Sequence, residues 1–219
     1  MTRVMMSSNK IAVRAVKLIA GGLVGGVVGY FVGKLLKLGP VPAYDLGWSD
    51  HGALIIGALL LAMGVFIGLA SLSGKLAGWV LDPKSGRAAT PSQITFYRQQ
   101  AIVLFLAGPM MIAPVLAHLF YDPVPQALGV AVLCGVVALF LVQTVYNLLV
   151  WRRGDELIRQ ITIEASAISF WVLQAALFCW AAAEKLDLAP AISAWDSATI
   201  LMGTYLLVAA IVSVRRGYS

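Results

Sequence analysis

The chain has 219 residues, of which 60% are hydrophobic and only 12% charged, and its mean hydropathy is +0.88. Soluble domains carry about 45–50% apolar and about 25% charged residues, so too little polar surface remains here for a water-facing fold. That excludes a soluble enzyme, a disordered chain, a secreted disulfide scaffold and any sizeable extramembrane domain.

A bilayer core about 30 Å thick takes roughly 20 apolar residues of helix to cross. Breaking the sequence at charged residues predicts six spans, at 18–38, 53–73, 99–120, 125–150, 164–183 and 197–214. These runs are continuously apolar and too long for the alternating strands of a β-barrel. The expected fold class is all-α, a polytopic membrane bundle of six helices forming one integral membrane domain over residues 1–219.

The first span follows basic residues, as a signal peptide would, but its apolar run Leu18–Val32 is long for that role. No A-x-A-like cleavage site follows, so the reading is a retained anchor. Gly22, Gly26, Gly29 and Gly33 fall on one stripe of this helix, within about 60° at about 100° per residue. Gly29 to Lys34 resembles a phosphate-binding loop, but the glycine spacing is one residue short and Leu35 stands where a Ser or Thr is required. In the second span Gly57, Gly64, Gly68 and Ser71 make a similar stripe. Small residues let helix backbones approach where lipid is as apolar as leucine. The two stripes, joined by a short loop, are expected to pack against each other; the competing reading is a dimerisation or partner-docking face.

Lys75 to Leu81 reads as a continuation of the second helix into the interface, and Asp82-Pro83-Lys84-Ser85-Gly86 as a turn. Thr90-Pro91-Ser92 reads as the entry to the third helix, with proline at an early position. Pro109 and Pro114 then sit near mid-membrane, where each removes a donor and clashes with the preceding turn, so a kink is expected. His51 and His118, the only histidines, fall near the outer ends of adjacent spans. As a pair they are the sole candidates for haem or metal ligation, and the preferred reading is no cofactor. In the fourth span Gln143 and Asn147 share a face and are expected to bond across helices. Cys134 and Cys179 read as small packing residues.

Between the fourth and fifth spans, Asp155 is placed to cap a helix, Glu156 to complement its dipole, and Arg159 to pair with Asp155 four residues away. One helix from Asp155 to Ala183 is about 43 Å long at 1.5 Å per residue, so about two turns project beyond the hydrocarbon. Glu164 lies at the inner mouth of the fifth span, with Arg98 or Arg152 as the expected neutralising partner. The Pro-to-Arg-Arg pattern of Pro125…Arg152-Arg153 returns in Pro190…Arg215-Arg216. A turn residue before and basic residues after any inward-running span account for this without duplication.

With the N-terminus inside, 13 basic residues lie on the cytoplasmic side and three (Lys34, Lys37 and Lys185) outside. Basic loops resist translocation, so this orients the bundle N-in and C-in. The net charge of +6 thereby separates into +9 inside and −3 outside. Trp48, Tyr121, Trp180 and Trp195 fall at outer ends, and Trp79, Tyr97, Trp151 and Tyr218 at inner ends, as an aromatic belt requires.

Arg152-Arg153-Gly154-Asp155-Glu156, with Arg159 and then Glu164 to Phe170 entering a span, resembles a hairpin of uncharacterised bacterial inner-membrane proteins. The match covers Asn147 to Ala183, about a sixth of the chain, and its motif is short. It implies a bacterial inner-membrane setting and brings no activity with it.

No ionisable residue stands deep in a span, no zinc or hydrolase motif is found, and no basic domain exists for nucleic acid. The expected function is therefore a non-catalytic accessory or scaffold subunit packing through its glycine faces. Its expected partners are the lipid bilayer, anionic head groups at Lys10/Arg14/Lys17 and Arg152/Arg153/Arg159, and a membrane protein or second copy. The alternatives are a small-molecule transporter or channel built on the kinked third span, and a haem or metal redox protein using His51 and His118.

Overall fold

A computed structural model describes residues 46–81 and 87–216, all within the unit Tyr44–Ser219. The first predicted span, with Gly22, Gly26, Gly29 and Gly33, lies outside the described residues, as does the turn at 82–86. Six helices are described: α1 (Trp48–Ala70), α2 (Gly74–Leu81), α3 (Pro91–Phe120), α4 (Gln126–Arg153), α5 (Glu156–Lys185) and α6 (Ala194–Arg215). Among the described residues there is no strand. All but α2 are long and apolar enough to cross a bilayer, and they correspond to the second to sixth predicted spans.

Local chemistry sets the helix starts. Thr90 Oγ1 accepts from the Gln93 N–H at 3.4 Å while the Gln93 side chain accepts from the Thr90 N–H at 2.8 Å, and Pro91 opens the helix. This reciprocal cap satisfies two orphan donors, and a proline at the first helical position forfeits no bond. Ser193 and Asp196 repeat the arrangement at α6, at 3.0 and 2.7 Å. Asp155 caps α5 as its sequence position predicts, accepting from Ile158 N–H at 2.8 Å. Asp155→Ala should cost about 1 kcal/mol of stability, read from the denaturation midpoint in detergent.

α3 begins at Pro91, the entry that Thr90-Pro91-Ser92 marks in the sequence, so the helix extends about two turns beyond the apolar span that starts near residue 99. One boundary differs from the sequence reading: Lys75 to Leu81 belongs to a separate helix and is no continuation of α1. The chain turns at 71–73, where Ser71 Oγ donates to Gly68 O at 2.7 Å and Arg98 donates to Ser71 O at 3.4 Å, satisfying carbonyls that α1 leaves behind. Pro109 and Pro114 lie inside α3, which continues through both without interruption.

α1 is the central helix. α3 packs antiparallel to it on one side and α6 parallel to it on the other; α4 then packs on α3, and α5 on α6. The series across the bundle is therefore α4–α3–α1–α6–α5. Consecutive helices α4 and α5 join at Gly154 yet lie along different neighbours. Their junction is held by a small core in which Val150 and Ile158 pack against Ala77, Phe96 and Tyr97. Tyr97 is thus buried in that core, not part of an exposed aromatic belt. The α5–α6 hairpin has its own core of Ile161, Ala165 and Val212, with Tyr205 and Val208 packed on it. Large apolar side chains such as Leu133, Phe140, Phe170 and Trp171 face outward instead. That inversion is stable only where the surrounding medium is itself apolar.

Candidate functional site: a glycine-packed core with polar ties at both ends

The glycines of α1 are used for close approach to α3. A Cβ on Gly57 would stand 2.6 Å from Ile112 Cγ1 and 2.9 Å from the Gly108 carbonyl oxygen. One on Gly108 would collide with Leu61 and stand 2.8 Å from Gly57 O. These two glycines lie back to back, the closest approach two helices can make. Gly64 fills the same role lower down, where a Cβ would stand 2.7 Å from the Phe105 amide nitrogen and 3.0 Å from Ala101 O. Gly57 and Gly64 are therefore packed against α3, and the first span lies outside the described residues. Gly108, directly before Pro109, supplies the matching small residue on α3. Gly68 is looser: a Cβ there would meet Ala101 Cβ at 3.8 Å, an ordinary contact.

Polar side chains tie the helices, one pair well inside the bundle and others near the helix ends. Gln143 Nε2 donates across to Val103 O on α3 at 3.2 Å, the interhelical bond expected of it. Asn147 is exposed on the surface of α4. At the end where α5 begins and α6 finishes, Glu164 Oε2 accepts from Arg216 Nε at 2.8 Å and from Nη2 at 2.5 Å. Arg216 Nη1 also donates to Gln160 Oε1 at 2.9 Å. Glu164 thus pairs with Arg216 and not with Arg98 or Arg152. Sequence distance concealed this, because the hairpin returns the chain to the same level 52 residues later.

Arg159 departs from its expected role too. It donates to Trp151 O at 3.3 Å and to Arg152 O at 3.0 Å, and its guanidinium lies 5.8 Å from the Trp151 ring centre. It therefore satisfies the C-terminal carbonyls of α4 and stacks on its last aromatic residue, leaving Asp155 to its cap. Glu156 sits in the first turn of α5 as the dipole argument requires, and Gln160 donates to it at 3.4 Å. Arg152 and Arg153 are exposed at the end of α4.

At the opposite end α1 and α6 start side by side. Ser49 lies beside the Asp196 carboxylate, and a Cβ on Gly52 would stand 3.1 Å from Thr199 Cγ2. Ser49 and Thr199 are buried. Buried Thr199 Oγ1 and Trp195 Nε1 make no hydrogen bond to the described protein groups. Nothing in the sequence singled out this cluster, since each member is a common residue at a helix start. His51 Nδ1 is 2.9 Å from Gly47 O in the first turn of α1, and His118 lies in the last turn of antiparallel α3. Among the described residues no three His, Cys, Asp or Glu side chains gather as a metal site would require. Cys134 and Cys179 are free and exposed on the outer surfaces of α4 and α5, so they are not interior packing residues.

This arrangement defines a class: a helical protein with five bilayer-length apolar helices among its described residues. Comparison with protein-family models, with curated proteins and with solved structures finds no match for this chain.

Proposed function

We propose that the chain is a non-catalytic accessory or scaffold subunit, a six-span protein of the bacterial inner membrane with both termini in the cytoplasm. The bacterial setting rests on the likeness of the Arg152 to Phe170 hairpin, and the sidedness on the separation of basic from acidic loops. The observation that carries the functional reading is α4. None of its 28 residues is buried, among the described helices it packs chiefly on α3, and a Cβ at Gly135 would meet nothing within 4 Å. A bilayer-length helix used on one side only, with a glycine open on the other, is suited to receive a neighbouring membrane helix. Gly22, Gly26, Gly29 and Gly33 supply a second small-residue face in this reading. Arg152 and Arg153, exposed where α4 ends, are placed to meet anionic head groups.

Native mass spectrometry of the chain extracted in mild detergent tests this. The expected result is a defined assembly, with a second subunit or a second copy, that Gly135→Leu dissociates while the fold survives. A bare monomer, or an assembly indifferent to Gly135→Leu, would contradict the reading.

A further inference from the structure

α2 is too short to cross a bilayer and too apolar on its outer side for water. Its inner side is clamped. Ala77 is completely buried against Phe96 and Tyr97. Gly78 lies so close to the backbone at Arg87 and Ala89 that a Cβ would collide with the Arg87 carbonyl oxygen. The Ala89 N–H donates to Gly74 O at 2.7 Å, and Ser73 Oγ accepts from Leu76 N–H at 3.3 Å to start the helix. These contacts fix the rotation of α2 about its axis, so its outward side is set by the fold.

That side carries Lys75, Leu76 and Trp79, which at about 100° per residue span a single arc of about 100° with the lysine on one margin. Leu76 is 42% exposed and Trp79 73%. The chain leading into α2 is exposed and apolar as well, with Phe66 and Leu69 near the end of α1 and Leu72 in the turn. If α1 and α3 cross the bilayer, that surface meets lipid, and α2 lies where the hydrocarbon gives way to head groups. Tryptophan prefers that depth, and a lysine beside it extends its ammonium toward phosphate.

We propose that α2 is an interfacial helix that lies in the plane of the bilayer, with Leu76 and Trp79 among the upper acyl chains and Lys75 on phospholipid phosphate. Its partner is the lipid surface. The clamp beneath it ties the ends of α1 and α3 to one leaflet at a fixed depth. This rests on the reading of α1 and α3 as membrane-crossing helices, and the test separates the two claims.

The full chain, with Cys134 and Cys179 changed to serine, is placed in phospholipid nanodiscs containing phosphatidylglycerol. Single spin labels are attached at Leu76→Cys, Trp79→Cys, Lys75→Cys, Leu141→Cys on α4 and Leu188→Cys in the loop after α5. Collision with oxygen reports lipid and collision with a nickel chelate reports water. The expected order of oxygen preference is Leu141 first, then Leu76 and Trp79, then Lys75, with Leu188 fully open to nickel. Labels at 76 and 79 should favour oxygen severalfold over the Leu188 label. Nickel access at 76 and 79 equal to that at Leu188 would overturn the proposal while leaving the membrane reading intact. Labels at 76 and 79 shielded from both reagents would also overturn it, because protein and not lipid would then cover α2. Nickel access at Leu141 would instead overturn the membrane reading beneath it. The Leu76 site keeps the test decisive if Trp79→Cys loosens the helix.

Discussion

Gly108→Leu is expected to cost about 3 kcal/mol of stability, the upper end of what overpacking a close contact costs. The reason is a backbone neighbour that cannot yield. Beside Leu61, a Cβ at Gly108 faces the Gly57 carbonyl at 2.8 Å, and backbone cannot rotate away as a side chain can. The helices must separate, and with them goes the contact at Gly64 further along the same interface. Gly135→Leu on α4, with open space around its Cβ, should change stability by less than about 1 kcal/mol, and Gly68→Ala should be similarly mild. Reversible unfolding in mixed micelles, followed by circular dichroism, gives all three values. Equal losses at Gly108 and Gly135 would show that backbone approach between α1 and α3 is not what holds them together.

Arg216→Glu is the second large effect. It removes the hydrogen bonds to Glu164 and Gln160 and sets two carboxylates against each other at the end of the α5–α6 hairpin. The pair is partly exposed, with side chains 39% and 36% accessible, so water screens it. The loss of charged hydrogen bonds and the new repulsion together come to about 2 kcal/mol. The double variant with Glu164→Arg and Arg216→Glu should recover about half of that, because it restores the attraction without the original geometry at Gln160. No recovery would mean that Arg216 acts through its position alone and that the pairing contributes nothing.

The five described spans were legible because bilayer length and apolar continuity are strong signals that need no tertiary information. The caps at Thr90 and Asp155 were legible for a similar reason: a hydroxyl or carboxylate before a helix start acts within three residues. What could not be read was partnership. The stripe of Gly57 and Gly64 showed that something would approach closely, and only the fold shows that Gly108 and Ala101 on α3 do so. Glu164 advertised a need for a cation, yet the choice of Arg216 depends on how the hairpin returns. Arg159 had an acid four residues away and bonds instead to the carbonyls ending α4, since Asp155 is already committed to its cap. The separation of α2 from α1 escaped for a related reason. Leu72, Leu76 and Trp79 continue the apolar pattern, while the turn is made by Ser71 and by Arg98 from another helix. The polar cluster of Ser49, Trp195, Asp196 and Thr199 left no mark in the sequence because it is assembled from two helix starts about 150 residues apart that run parallel.

The account depends most on six crossings with the basic loops inside. Labelling with a membrane-impermeant thiol reagent tests it directly, on a chain in which Cys134 and Cys179 are serine and one cysteine replaces either Ser8 or Leu188. Leu188→Cys should be labelled in intact cells. Ser8→Cys should be labelled only after the membrane is opened, as six spans with an inside N-terminus require. Labelling of Ser8→Cys in intact cells would put the N-terminus outside and contradict the six-span arrangement.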